Sequence, residues 1–356
     1  MRSSPGPESK KKRLMWYSVF GPVKVHERVW RTPERSHLRL LPEALGISHR
    51  GCSRCLRRVL VDFGSDYSFD HSRGKVKEHY GFEISASAVR QATLACAAEV
   101  AGKQAREAEG DYNALPAGPG PAVVLQADGS MVCTVAPGPR SGARPRQYEE
   151  IRLAAAQAQG SVATTYAASF AAVEDLGRRW GHCARDAGRT LASVLHPMGD
   201  GAGWIARQAR AIFGTRVPFL CDFHHVKDQL RAAAPGCRAH APDQWRRTQQ
   251  RRLKRNALDL VLKELATHRE TDSVAEEDAP VRAAERYLSN RRNQLDYAGA
   301  IERGLPIGTG MIESGHKHVL QARLKLPGCA WLKENAANIA QLRVFRSNRR
   351  WPQLWN

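Results

Sequence analysis

An apolar, β-forming run, Ala122–Val135 (AVVLQADGSMVCTV), delivers a single acid, Asp128. Two later segments do the same. Val194–Gly201 (VLHPMGDG) delivers Asp200, and Leu305–Glu313 (LPIGTGMIE) opens a helix that carries Glu313. Acids at the edges of apolar elements and far apart in sequence are what a divalent-metal phosphoryl-transfer site needs. Each also has a purely structural reading. Asp128-Gly129 between two apolar runs is a hairpin-turn signal. Asp200 can cap a helix, and Glu313 can oppose a helix dipole. Leu320 and Leu324 follow Glu313 at +7 and +11, which puts the acid on an inward-facing stripe where it needs a partner.

The elements around these acids predict an α/β fold. Asp128 leaves the first strand and Asp200 a central one. Further strands are expected at Glu149–Ala158, Val162–Phe170, Val194–Met198 and Val217–Phe223, with helices at Ala171–Ala187 and Ala202–Phe213. In the latter, Ile205, Ala209 and Ile212 fall on one stripe. That order suits a mixed sheet with helices on both faces. Residues 227–303 are charged, helical and strand-free, with QWRRTQQRRLKRNALDLVLKEL as the longest run and the acidic Thr271–Ala279 as an exposed loop. They read as an all-α insertion. Residues 304–356 close the catalytic domain with the Glu313 helix and an arginine-rich helix to Trp351.

Ahead of the sheet, residues 1–19 read as a basic disordered tail holding Lys10–Arg13 (KKKR). Residues 20–110 read as a mainly helical DNA-binding region. A short hairpin is expected within Trp16–Trp30 and a helical turn at Leu41–Ser48. A helix-turn-helix is expected within Ser68–Ala101, its first helix ending near Gly81 and its second capped by Ser85 or Ser87. Arg90 and Gln91 then stand where base edges are read. An αα-hairpin with no DNA role fits the same pattern. Cys52 and Cys55 have knuckle spacing without a second pair, so they read as packing cysteines. Residues 111–121, rich in Gly and Pro, read as a linker to the catalytic part at 122–226.

The charge selects the partner. Lys and Arg total 55 against 35 acids, a formal +20 with a pI near 10.1, and a field of that sign favours nucleic acid. Eight scattered cysteines suggest reduced thiols in a cytoplasmic, nucleoid-associated protein. No run reaches membrane-spanning length. Near the C-terminus, Arg323, Lys325, Lys333, Arg343, Arg346, Arg349 and Arg350 can track phosphates or form a solvated face. Trp331, Trp351 and Trp355 read as core or interface.

Three motifs, GDGAGWI (Gly199–Ile205), CDFHHV (Cys221–Val226) and GLPIGTGMIESGHKHVLQARLK (Gly304–Lys325), resemble in this order the bacterial insertion-sequence transposases of the ISKra and ISLre type. These are relatives of Mutator-like DDE transposases with an RNase H-like catalytic domain. The resemblance covers about residues 20–355. It implies Asp128, Asp200 and Glu313 as a triad holding two Mg²⁺ or Mn²⁺ ions, double-stranded DNA as partner, and an oligomer assembled on element ends. Cys221 and His224 have the spacing of a Cys-x2-His element. An Asp-Phe-Tyr-His pattern falls on Asp222–His225, which makes Asp222 the rival for second ligand. Asp200 is favoured because it stands at a strand end rather than inside a strand. The family's N-terminal cysteine knuckle is missing around Arg31–Leu41, and RLKLPGCAW replaces the usual Gly-rich wording after RLK. The competing expectations are an inactive or domesticated DNA-binding protein and an RNase H-like nuclease without strand transfer.

Overall fold

Strand β4, Val123–Val135, runs unbroken through Asp128-Gly129. The expected hairpin turn is absent because Gly129 is not left-handed and pairs with Arg152 of the next strand. A tight hairpin turn of the Asp-Gly kind needs positive φ at both central residues. A Cβ at Gly129 would meet the Glu150 carboxylate at 2.1 Å, so a larger residue there would have to displace that side chain. Asp128 is therefore a mid-strand residue and does not end its strand.

The computed structural model describes residues 8–31, 38–39, 51–138 and 144–356. Two units emerge, Met1–Gly102 with Arg349–Asn356, and Lys103–Asn348. In the larger unit, β5 (Arg146–Ala158) and β6 (Thr164–Ser169) continue β4 antiparallel. On the other side β7 (Leu195–Gly199) and β8 (Leu220–Cys221) run parallel. The order is β6-β5-β4-β7-β8, and β9 (Trp331–Leu332) pairs with the far end of β4. Sequence order reverses direction between β4 and β7, the kind of switch point where α/β sheets bind ligands.

Alternation along β4 sends Val123, Leu125 and Ala127 to one face. There they pack under α4 (Val173–Asp186) and α5 (Gly203–Phe213), around an edge-to-face Trp180–Phe213 pair. Val124 and Met198 face the other way, into a core built with the insertion helices. Burying each such aliphatic side chain contributes roughly 1.5–3 kcal/mol. The insertion begins at α6 (Phe223–Cys237), four residues earlier than expected. It continues through α7 (Pro242–Leu253), α8 (Leu258–Thr267), α9 (Pro280–Ser289) and α10 (Tyr297–Glu302). The long QWRR…KEL run breaks at left-handed Asn256, φ 55°, a conformation Asn tolerates.

The Glu313 helix is α11 (Gly310–Gly315), followed by a π-helical turn, His316–Gln321, and α12 (Ala322–Leu324). The π turn shifts the helical phase. Leu320 and Leu324 are buried as expected, but Glu313 is exposed. The expected stripe assumed an uninterrupted α-helix. Helix α13 (Lys333–Ser347) ends the unit.

The segment at 111–121 is a strap rather than a free linker. Tyr112 presses against Gly181, where a Cβ would lie 2.5 Å from its ring. Leu191 N–H donates to Pro116 O at 3.1 Å, and Thr190 Oγ1 donates to Gly118 O at 2.9 Å. The division between units falls instead at Gly102, inside the helix Ala86–Glu107, and residues 349–356 group with the smaller unit.

In the smaller unit the expected disordered tail is a strand from residue 8 onward. β1 (Glu8–Ser18) pairs antiparallel with β2 (Gly21–Arg31), a hairpin wider than expected, and β3 (Leu38–Arg39) adds to β2. Backbone pairing along the whole length and burial of Leu14 and Val29 override the charge of KKKR. Leu41–Ser48 lies outside the described residues. Helices α1 (Arg54–Asp66), α2 (Phe69–Tyr80) and α3 (Ala86–Glu107) follow. Ser68 caps α2, Gly81 ends it at φ 74°, and Ser85 Oγ accepts from Ala88 N–H at 3.1 Å at the head of α3. Cys52 packs on this helical core while Cys55 is exposed.

Candidate active site

Val124, Gln126 and Asp128 share one face of β4. Gln126 is fully buried. Its Nε2 donates to the Gly308 carbonyl at 3.2 Å, and its Oε1 accepts from Ile312 N–H at 2.9 Å. This amide fastens the first turn of α11 to the strand that carries Asp128. The chain before α11 is held at two more points. The His196 ring meets Pro306 O at 2.8 Å, and Phe223 N–H donates to Ile307 O at 2.9 Å. Gly308 must be small, since a Cβ there would stand 2.9 Å from the His224 ring.

β4 and β7 pair with Gln126 opposite Met198. Two residues on come Asp128 in β4 and Asp200 just past the end of β7, near enough that the Asp200 charge is felt at Asp128. Beyond Gln126 that edge of β4 has no strand partner until Thr134 meets β9, among the described residues. The gap leaves room for the Asp200 turn. Burial pushes the Asp128 carboxyl up to about 6; the Gly129 N–H, 2.7 Å from Oδ1, opposes this, and the Asp200 charge adds to it. Asp200 does not cap the helix, whose N-cap Ala202 has no side-chain cap bond; its Oδ1 accepts from Ala202 N–H at 2.8 Å, closing the turn ahead of it. Its turn is gripped from the insertion. Tyr287 Oη donates to Asp200 O at 3.0 Å, and Arg291 donates to Gly201 O at 2.9 Å. Gly201 has φ 90°, and a Cβ there would lie 2.6 Å from Arg291.

Asp222 was expected inside a strand. β8 is only two residues long, so Asp222 also stands at a strand end, where it caps α6. That removes the ground for preferring Asp200 on position alone. Asp222 is fully buried. It accepts from His224 N–H at 2.9 Å and from Thr309 Oγ1 at 2.8 Å. The same hydroxyl lies 3.4 Å from Glu313 Oε1, which links the two acids. His225 Nε2 stands 3.8 Å from Asp222 Oδ2, and its charge also draws the Asp128 carboxyl down. Asp222 and Glu313 are thus joined through Thr309, while Asp128 and Asp200 feel each other through their charges.

Cys221 and His224 have different neighbours. The Cys221 thiol, pushed up to about 11 by burial, lies 3.3 Å from Tyr287 Oη, while the His224 ring lies by Gly308. Arg323 and Arg343 are not surface cations. Arg323 is buried with its guanidinium 4.7 Å from the Trp331 ring centre. Arg343 is buried and donates to the carbonyls of His318 and Val319 in the π turn. Burial takes both away from a phosphate surface: Arg343 supports the π turn, whose carbonyls a planar guanidinium satisfies, and Arg323 packs on Trp331. Lys325 does stay exposed, donating to Ser130 Oγ at 2.6 Å; partial burial of its amine draws it below the usual lysine range, with the Asp128 charge opposing this. Arg346 is half-buried, and in the smaller unit Arg90 is half-buried and Gln91 exposed.

Sequence reasoning missed Gln126, Tyr287, Arg291, Thr309 and His316. His316, one turn after Glu313, is buried with Nε2 3.6 Å from Asp128 Oδ2. Burial pushes it down to about 4, so the ring is neutral. Two signals were available: a polar residue in an apolar strand at Asp128 −2, and a His at Glu313 +3.

Among the described residues no three His, Cys, Asp or Glu side chains converge into a ready metal cage. The donor chemistry nonetheless suits Mg²⁺, which takes one or two carboxylates and fills its shell with water and substrate phosphate. No helix is long and apolar enough to cross a membrane, among the described residues. Compared with known proteins, the chain matches no protein-family model and no curated protein.

Proposed function

We propose that this protein is a DDE-type DNA transposase. It would cleave phosphodiesters at the ends of an insertion sequence and join the freed 3′-OH to target DNA. The observation that carries this reading is that β4 and β7, paired up to Gln126 and Met198, run on to Asp128 and Asp200 at the switch point, with the Glu313 helix tied to β4 through Gln126. The mixed sheet, three antiparallel strands continued by two parallel ones, is compatible with an RNase H-like catalytic domain.

The residues then divide the work. Asp128, Asp200 and Glu313 would hold Mg²⁺ or Mn²⁺, which when bound activates a nucleophile and stabilises the leaving oxygen. Asp222 orients Thr309 and, through it, Glu313. Neutral His316 packs against Asp128 without adding charge. Lys325 places a cation where a phosphate would lie. Water attacks one phosphodiester, leaving a 3′-OH and a 5′-phosphate. That 3′-OH then attacks a target phosphodiester, one bond forming as one breaks. The helices α2 and α3 would bind the element ends, and two ends imply an oligomer.

Purified full chain, offered duplex DNA from the flanks of its own gene with Mg²⁺ or Mn²⁺, is expected to nick it and give joined products. The absence of a ready metal cage favours a second reading, a DNA-binding protein that does not cleave. Salt-sensitive binding with no cleavage under either metal would establish that reading instead. Nicked but never joined DNA would leave a nuclease.

The two rival aspartates can be ranked. Asn caps helices as well as Asp, so Asp222→Asn is expected to keep the fold and lower nicking by about tenfold. Asp200→Asn is expected to lower it by about 100-fold or more. The opposite order in single-turnover rates would make Asp222 the second ligand.

A further inference from the structure

The smaller unit carries a surface that the cleavage reading does not use. Along the β1–β2 hairpin, Lys11 is paired with Arg28, Arg13 with His26, and Met15 with Lys24. These side chains share one face, and no acid stands on that face from Ser9 to Trp30. Lys11, Arg13, Lys24, His26 and Arg28 are all exposed. Like charges directly opposite across strands destabilise a ribbon. A strand pair shaped for stability alone would alternate the signs, as Lys12 opposite Glu27 does on the other face. Each strand has 11 residues, a length of roughly 37 Å. That is about one turn of duplex DNA, roughly 34–36 Å, and the major groove admits a two-stranded ribbon. At the tip, Phe20 is 96% exposed. Beside the ribbon, a groove of about 1140 Å³ runs from Met15 past Arg57 and Arg73 to Ser87 and Gln91 on the first turns of α3.

We propose that the β1–β2 ribbon is a duplex-DNA contact, with Lys11, Arg13, Lys24 and Arg28 on phosphates and Phe20 against the bases at its tip. The ribbon and the start of α3 then form two walls of one DNA groove. This goes beyond the proposed cleavage and holds equally for a protein that only binds.

The test is the affinity of the full chain for duplex DNA as a function of salt. The triple variant Lys11→Ser, Arg13→Ser, Arg28→Ser is expected to fold, since it removes repulsion from exposed sites. Its slope of log affinity against log salt should be shallower by about 2–3, near 0.9 per lost phosphate contact. Phe20→Ser, at a fully solvated side chain, should lower affinity at every salt concentration without moving the slope. A wild-type slope in the triple variant overturns the proposal, as does tighter binding of RNA than of duplex DNA. Wild-type affinity in Phe20→Ser removes the tip from the contact. Nicking by either variant at saturating DNA reports separately on the acids, so failure here and failure of the cleavage reading give different results.

Discussion

Asp128→Asn is expected to remove metal-dependent nicking, by about 1000-fold or more, equivalent to roughly 4 kcal/mol of barrier. DNA binding should change by less than about twofold, since one neutralised acid removes no phosphate contact. The size follows from position. Asp128 stands mid-strand in the sheet, within the influence of the Asp200 charge and 3.6 Å from His316. Asn keeps the shape and the acceptor for Gly129 N–H but cannot carry the charge that a cation needs. The wild-type carboxyl, held near 6, also sets a pH dependence. Below 6 it is protonated, so activity should fall about tenfold per pH unit there and level off above it. The sign for stability is opposite. A carboxyl whose folded pKa lies above its unfolded value favours the fold most below about 3.8, and that contribution is lost as pH rises through 6. Asp128→Asn should therefore melt no lower than wild type at neutral pH. Nicking by the Asn variant at near wild-type rates would sink the transposase reading.

Arg343→Gln is expected to act on stability instead. Its guanidinium is buried against the main-chain carbonyls of the π turn that follows the Glu313 helix. Losing a charged donor and leaving buried acceptors should cost about 3 kcal/mol. For a unit of this size that is a fall in Tm on the order of 6–12 °C. The salt dependence of DNA binding should not move. Unchanged melting together with a shallower salt slope would return Arg343 to the DNA surface.

How much was legible depended on the range of the interactions. The helix pair at Phe69–Tyr80 and Ala86–Glu107 was readable because Gly81 and Ser85 decide its turn locally. The strand around Asp128 was readable from its apolar run, but its continuation through Gly129 was not. That depends on a register with β5 set by residues about 20 positions away. The shortness of β8, which moved Asp222 to a helix cap, follows from packing against the insertion. The strand in the basic N-terminus was hidden because charge argues for solvent, whereas a hairpin partner supplies backbone bonds to any sequence. The inward fate of Arg323 and Arg343 was invisible because a guanidinium can serve buried carbonyls as well as phosphate.

Tyr287 and Arg291 reach from the helical insertion to the main-chain oxygens of Asp200 and Gly201. The block is therefore a buttress as well as decoration between two parts of a sheet. Anything that loads its outward face, a second copy or a length of DNA, would be felt at the reacting end through two carbonyls. A chain trimmed of this block could keep every acid and still lose the steadiness of one of them.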